Sequence, residues 1–271
     1  MSTDASFREI REGLYWIHEP GPDRSGMVES MDPVPSWYDE AQSVHIPQCA
    51  YLLDGGDATL LLDTLSPAST DRILGALDAV LDDPLDYLVV SHPDVPHAGN
   101  TARILAAHDA TLVAPRYGDD HELYRLDEAT HVGEGDSIDL GRYTVDFHEA
   151  TFLDAPVSLW MSERTEGMLF PVDWFGFPHL ASERLRLVEE LDVGIAESRL
   201  VQFHGRVLFW HQYVDVETVQ REIDAVNRRF EPRMILPAHG LVVGEGAMEY
   251  VDRMKDVVAE IARRDRIGAL G

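Results

Sequence analysis

Two histidines and an aspartate crowd one short stretch, Ser91-His92-Pro93-Asp94-Val95-Pro96-His97-Ala98-Gly99-Asn100. It follows Tyr87-Leu88-Val89-Val90, an apolar, β-branched run that reads as a buried strand. Asn100-Thr101-Ala102-Arg103-Ile104-Leu105 then opens like a helix. Loops at the carboxyl ends of strands are where α/β proteins concentrate their chemistry. Pro93 and Pro96 disfavour the helical region for the residues before them, so the loop is expected to be extended. The same context recurs three times. Asp154 follows Phe152-Leu153, Asp173 follows Leu169-Phe170-Pro171-Val172, and His239 follows Ile235-Leu236-Pro237-Ala238. If the strands run in compatible directions, His92, Asp94, His97, Asp154, Asp173 and His239 converge on one edge of the fold. Such a set is a metal site in the making, because each group alone is costly to bury and three converging carboxylates repel one another unless a cation is present, the pocket is open to solvent or some are protonated. Hard, oxygen-rich ligation favours iron or manganese, and zinc fits the same ligand types. The plainer alternative is an acidic turn with surface histidines, and the spacing names no residue as catalytic.

The elements that must position these groups alternate along the chain. Strands are expected at 13–17, 45–53, 58–62, 87–90 and 111–114, with Asp54-Gly55-Gly56-Asp57 as a hairpin turn. Helical spacing marks residues 70–82, with Ile73, Leu74, Leu77, Val80 and Leu81 on one face, and residues 100–108. Residues 19–42, rich in Pro, Gly, Ser and Asp, read as a loop. From residue 131 the pattern turns to β, with strands at 138–140, 143–147, 157–161 and 168–170. Helices are expected at 182–192, 216–230 and 247–264, and a last strand at 234–236. His148 and His179 flank the motif segments and are alternative ligands. His204 and His211 read as polar residues near a strand or loop containing Trp210. His18, His45, His108, His121 and His131 read as structural or surface groups. Asp63 closes the run Leu60-Leu61-Leu62. With no repeat and no linker, residues 1–271 read as a single domain.

Composition narrows the function classes. Asp plus Glu total 49 against 22 Lys plus Arg, a net charge of −27, and Lys255 is the only lysine. Such a surface repels phosphate backbones and anionic lipid, so neither nucleic acid nor membrane is expected as a partner. An acidic, nearly lysine-free surface over an ordinary core points to solubility in concentrated salt, as in the cytoplasm of a halophile. Cys49 is the only cysteine, which excludes a disulfide framework, a thiolate zinc site and an iron–sulfur cluster held by this chain. The opening residues lack the basic and apolar regions of a signal peptide, and no apolar window is long enough to span a membrane. A cytoplasmic protein is expected.

The strand, the histidine-rich loop and the later single Asp and His residues resemble the metallo-β-lactamase superfamily. The closer likeness is to its flavodiiron branch, which reduces oxygen and nitric oxide. That branch carries His-x-Glu-x-Asp-His-x-Gly-Asn, against which His92-Pro93-Asp94-Val95-Pro96-His97-Ala98-Gly99-Asn100 aligns. Its later Leu-Phe-Ser-x-Asp-x-Phe-Gly matches Leu169-Phe170-Pro171-Val172-Asp173-Trp174-Phe175-Gly176, and Pro237-Ala238-His239-Gly240 fits its last histidine. The resemblance implies an α/β, four-layer αββα sandwich and a non-haem iron site of one or two ions. It assigns His92, Asp94, Asp154 and Asp173 to one iron, and His97, Asp173 and His239, a two-histidine, one-carboxylate set that also suits non-haem iron, to the other. It also makes Asp63, in Leu61-Leu62-Asp63-Thr64, resemble the fold's Asp-Thr turn after the second core strand, which bonds backbone groups around the metal loops. This chain departs from the pattern at Asp94 in place of Glu, at Asp154 in place of His, and at Pro96 in place of a ligand Asp. No flavin-phosphate loop and no flavodoxin-like domain is expected, so electrons would come from a separate flavoprotein. The branch pairs as homodimers, bringing one subunit's flavin to the other's irons. The reading that follows is a stand-alone metal domain acting on, or sensing, a diatomic gas. A metal-dependent hydrolase of a small ester, thioester or lactam substrate is the second reading, and a non-catalytic scaffold the third.

Overall fold

A computed structural model describes residues 6–116, 129–154 and 157–264, so His121 lies outside the described residues. They fall into two compact units. The first comprises the described parts of Met1–Glu19, Gln48–Ala150 and Ala155–Thr165. Its frame is a seven-stranded sheet laid out in sequence order: Phe7–Arg11, Leu14–Glu19, Gln48–Asp54, Thr59–Leu62, Tyr87–Val89, Thr111–Pro115 and Thr130–Val132. The first three pairings are antiparallel and the last three parallel. Parallel neighbours need crossover connections, and helices Thr70–Val80 and Thr101–His108 supply two of them. The spacing expected for residues 70–82 holds, with Ile73 and Leu77 buried against Leu52, Leu61 and Leu88 in the unit's core. Strands Thr59–Leu62 and Tyr87–Val89 run the same way with Leu62 opposite Val89, so Asp63 and Ser91 leave the sheet at one edge. A second antiparallel group joins Ser137–Asp139, Thr144–Glu149 and Leu159–Glu163.

The second unit comprises Pro20–Pro47, Thr151–Asp154 and the described part of Glu166–Gly271. Met168–Phe170 pairs in parallel with Met234–Ile235, and Val44–His45 pairs antiparallel with His179–Leu180. Helix Val216–Phe230 starts at Asp215, whose carboxylate accepts the Thr218 N–H at 2.8 Å, and buries Val219, Ile223 and Val226. Helix Ala247–Arg263 buries Val251, Met254, Val258 and Ile261, the face its periodicity marked. Among the described residues no helix is long and apolar enough to cross a membrane.

Several expectations are corrected. Residues 182–192 form two separate turns of 3₁₀ helix, Ala181–Glu183 and Val188–Glu190. Between them Leu185 stands at φ +57°, a conformation no right-handed helix contains. The region expected as strand or loop around His204 and His211 is instead helix Glu197–Val207 followed by the 3₁₀ segment Phe209–Tyr213. Its apolar pattern is broken because Arg199, Gln202 and His204 are themselves buried. Arg199 donates to both carboxylate oxygens of Glu183, at 2.5 and 2.9 Å, and lies 4.4 Å above the Trp37 ring. The 19–42 loop contains helix Ser25–Glu29, and the single strand expected over 45–53 is interrupted at Pro47.

Candidate metal centre

In the first unit the motif loop is fastened to the turn that ends the neighbouring strand. Asp63 stands at φ +63° and is 1% exposed, and its carboxylate is the hub of the arrangement. One oxygen accepts the Ser91 N–H at 2.9 Å. The other accepts His97 Nδ1–H at 2.7 Å and lies 3.1 Å from the Ser91 hydroxyl. Backbone bonding by Asp63 is therefore present, and so is a side-chain bond to His97 that the spacing did not reveal. A carboxylate can only accept, so His97 carries its proton on Nδ1 and turns Nε2 to the other side. A carboxylate holding the far nitrogen of a ligand histidine is the usual way a metal-binding ring is oriented. His92 turns its Nδ1 to Ser91 Oγ at 3.2 Å, and the His92 and His97 rings stand 3.9 Å apart, both buried.

Asp94 is exposed and extended (φ −69°, ψ 152°), and from it a helical turn starts, Val95–Ala98. This corrects the extended loop expected from the two prolines. Pro96 falls in the first turn, where a missing N–H breaks no helical bond and φ near −65° is already helical. Asn100 closes the loop, donating from Nδ2 to the carbonyls of Thr64 and Ser66, each at 2.8 Å, while its own N–H reaches Thr64 Oγ1 at 3.0 Å.

In the second unit Asp173 and His239 meet directly. His239 Nε2 lies 3.1 Å from Asp173 Oδ1, and His239 Nδ1 lies 2.8 Å from the Pro47 carbonyl. Two backbone bonds lock their segments together: Ala238 N–H to the Val172 carbonyl, and Phe177 N–H to the His239 carbonyl, both at 2.8 Å. The Asp173 segment is strained, with Val172 at φ +52° and Phe175 at φ +76°. Such conformations in β-branched or bulky residues persist only where the surroundings over-determine them, and they cluster at functional sites. Asp154 is part-buried in the short Thr151–Asp154 segment. Trp210 Nε1–H donates to the Leu153 carbonyl at 3.0 Å, and Phe152 packs on Trp174 with centroids 5.0 Å apart, so helical and strand-end elements both grip that segment.

The alternative ligands have other work. His148 Nε2 is 2.8 Å from Ser162 Oγ. His179 bonds the Leu180 carbonyl through Nδ1 at 2.8 Å, and burial pushes its pKa down to about 4.

The pattern of these loops on an α/β frame has a counterpart among known families. The metallo-beta-lactamase superfamily model matches residues 46–245, and the chain belongs to that superfamily and has its mixed α/β fold. Among characterised relatives, a nitric oxide reductase of Moorella thermoacetica is 27% identical over 241 residues, covering 86% of this chain and 56% of the relative. A rubredoxin-oxygen oxidoreductase of Megalodesulfovibrio gigas is 26% identical over 201 residues, covering 71% of this chain and 48% of the relative. This chain thus spans about half the length of these curated relatives. The crystal structure of the flavodiiron protein from Giardia intestinalis superposes with a TM-score of 0.73 at 20% identity, over 94% of this chain and 60% of that one.

Proposed function

We propose that the chain is a flavodiiron-like metal-binding protein acting on oxygen or nitric oxide through non-haem iron held by His92, Asp94, His97, Asp154, Asp173 and His239. The observation that carries this reading is the way the histidines are set. The Pro47 carbonyl can only accept, so His239 Nδ1 holds a proton. Nε2 then faces Asp173 Oδ1 either as a protonated donor or with a lone pair that needs a cation. Two ligand atoms bound side by side to one ion at about 2.1 Å stand about 3 Å apart, and the 3.1 Å between Nε2 and Oδ1 suits that arrangement. His97 repeats the logic, with Nδ1 committed to Asp63. The donor set therefore fits a hard divalent ion such as iron, with manganese or zinc as competitors. When bound, iron would supply one-electron chemistry at a diatomic ligand. The chain's own residues would fix ring tautomers, gather carboxylates and keep the loop edges in place. Electrons would come from a flavin-bearing protein, and the choice of gas follows the names of two relatives, a nitric oxide reductase and a rubredoxin-oxygen oxidoreductase. The acidic surface belongs to the same reading as an adaptation to a salt-rich cytoplasm.

The test is reconstitution of purified protein with Fe(II), Mn(II) or Zn(II), followed by metal analysis and by gas consumption with a reduced flavoprotein donor. At least one equivalent of iron and measurable uptake of either gas is expected. Less than about a tenth of an equivalent of any metal overturns the reading in favour of a scaffold. Metal binding with turnover of thioesters, lactones or phosphodiesters, but of neither gas, transfers it to the hydrolases.

A further inference from the structure

His204 lies outside the metal motif and faces the Asp173 segment from helix Glu197–Val207. Its ring is fully buried and makes two bonds of opposite sense. Nδ1 lies 2.9 Å from the Leu200 carbonyl, which only accepts, so this nitrogen carries the proton. Nε2 lies 3.0 Å from the Phe175 backbone nitrogen, which only donates, so this nitrogen presents a lone pair. The ring is thus held neutral in a single tautomer. The bond it accepts comes from the strained residue two positions after Asp173, whose N–H is buried. The residue before His204 in the helix, Phe203, adds a steric constraint. A Cβ at Gly176 would stand 2.3 Å from the Phe203 ring, so the segment lies flush on the helix. The same Phe203 ring stands 5.8 Å from that of His239.

We propose that His204 is the positioning residue of the candidate metal centre, its unprotonated Nε2 holding the Phe175 amide and thereby the backbone that aims Asp173 at His239. This deepens the metal-binding reading and rests on it for the role of Asp173. The holding of the segment itself stands on the geometry alone. His204 does not touch the reacting atoms in this assignment. It acts through Phe175, and Phe203 beside it acts through Gly176 and His239.

The experiment uses the full chain, with His204→Phe to keep a ring without an acceptor and His204→Gln to return an acceptor oxygen near the position of Nε2. Ring ¹⁵N shifts of the metal-free protein should show the Nδ1–H tautomer at His204. Hydrogen exchange at the Phe175 amide should rise about tenfold or more in His204→Phe and return close to the wild-type rate in His204→Gln. Fe(II) affinity should fall about 10- to 100-fold in His204→Phe and recover in His204→Gln. An Nε2–H tautomer, or an unchanged Phe175 exchange rate in a folded His204→Phe protein, overturns the proposal. So does a folded His204→Gln protein that restores neither readout. If the wild type takes up no metal, the metal reading fails, while tautomer and exchange still decide whether His204 holds the segment.

Discussion

Asp63 satisfies three donors with two oxygens, and only a carboxylate can do so: the Ser91 amide, the Ser91 hydroxyl and His97 Nδ1–H. In Asp63→Asn one of these donors would face an NH₂ group instead. Stability should fall by about 1–3 kcal/mol, read by urea denaturation of metal-free protein, because buried donors are left unmade. Fe(II) affinity should fall about 10- to 100-fold in a competition titration, since the His97 ring loses its orienting partner. An Asp63→Asn protein with wild-type affinity would show that His97 is not a ligand. Pro96 stands where the flavodiiron pattern carries a ligand aspartate, and it sits in the first turn of a short helix. A negative side chain is favourable there and the added N–H demands no partner. Pro96→Asp should therefore fold as well as the wild type and bind more iron per chain. Unchanged stoichiometry by metal analysis would mean that the loop's other residues, and not Pro96, limit loading.

At the scale of elements, the motif loop is useful only while it stays fastened to the Asp63–Ser66 turn. Gly99 is a point of close approach between the two segments. A Cβ there would stand 2.6 Å from Pro67 Cδ and from the Val95 carbonyl, and 2.9 Å from the Leu65 carbonyl. Two of those neighbours are backbone and cannot rotate away. Gly99→Ala should cost about 1–3 kcal/mol by thermal or urea unfolding and weaken metal binding with it. Elements built on periodic apolar residues were legible from sequence: the buried strand before His92, helix Thr70–Val80, and the two long helices of the second unit. Helix Glu197–Val207 was not, because its buried face carries Arg199, Gln202 and His204, and the partners of Arg199 and His204, Glu183 and the Phe175 amide, lie far off in sequence where no local pattern announces them. The helical turn at Val95–Ala98 was hidden by Pro96, since proline signals a break except in a first turn, where it signals a start. The candidate site was read from the sequence as residue types at strand ends. Its tautomers were not, because the Pro47 carbonyl and the Phe175 amide that set them are backbone atoms far away in sequence.

Over the whole molecule two charge effects act, and they can be separated. A net charge of −27 repels itself, and salt shortens the reach of that repulsion from about 10 Å at 0.1 M to about 3 Å at 1 M. The melting temperature should accordingly climb with KCl, by about 2–4 °C for each kcal/mol of repulsion removed, and a flat response would sink the salt-adaptation reading. In molar KCl, where that effect is suppressed, acid sensitivity should report the buried histidines. Burial holds His179 and His204 down to about 4 from 6.5, and burial together with the neighbouring His204 holds His211 down to about 3. A depressed histidine pKa means the unfolded chain takes up the proton first as pH falls. Stability is therefore full above pH 6.5 and declines between there and the folded values. Each ring contributes up to about 1.4 kcal/mol per pH unit over that window. His211 isolates the effect, because it is fully buried and stacks on His204 with centroids 6.2 Å apart. His211→Phe removes one such proton uptake. Its stability relative to wild type should be constant above pH 7 and should improve steadily from pH 6.5 down to pH 4. If the two pH curves instead stay parallel, His211 is charged or solvated in the folded protein, and its burial against Phe152 and Trp210 is not what the native state maintains.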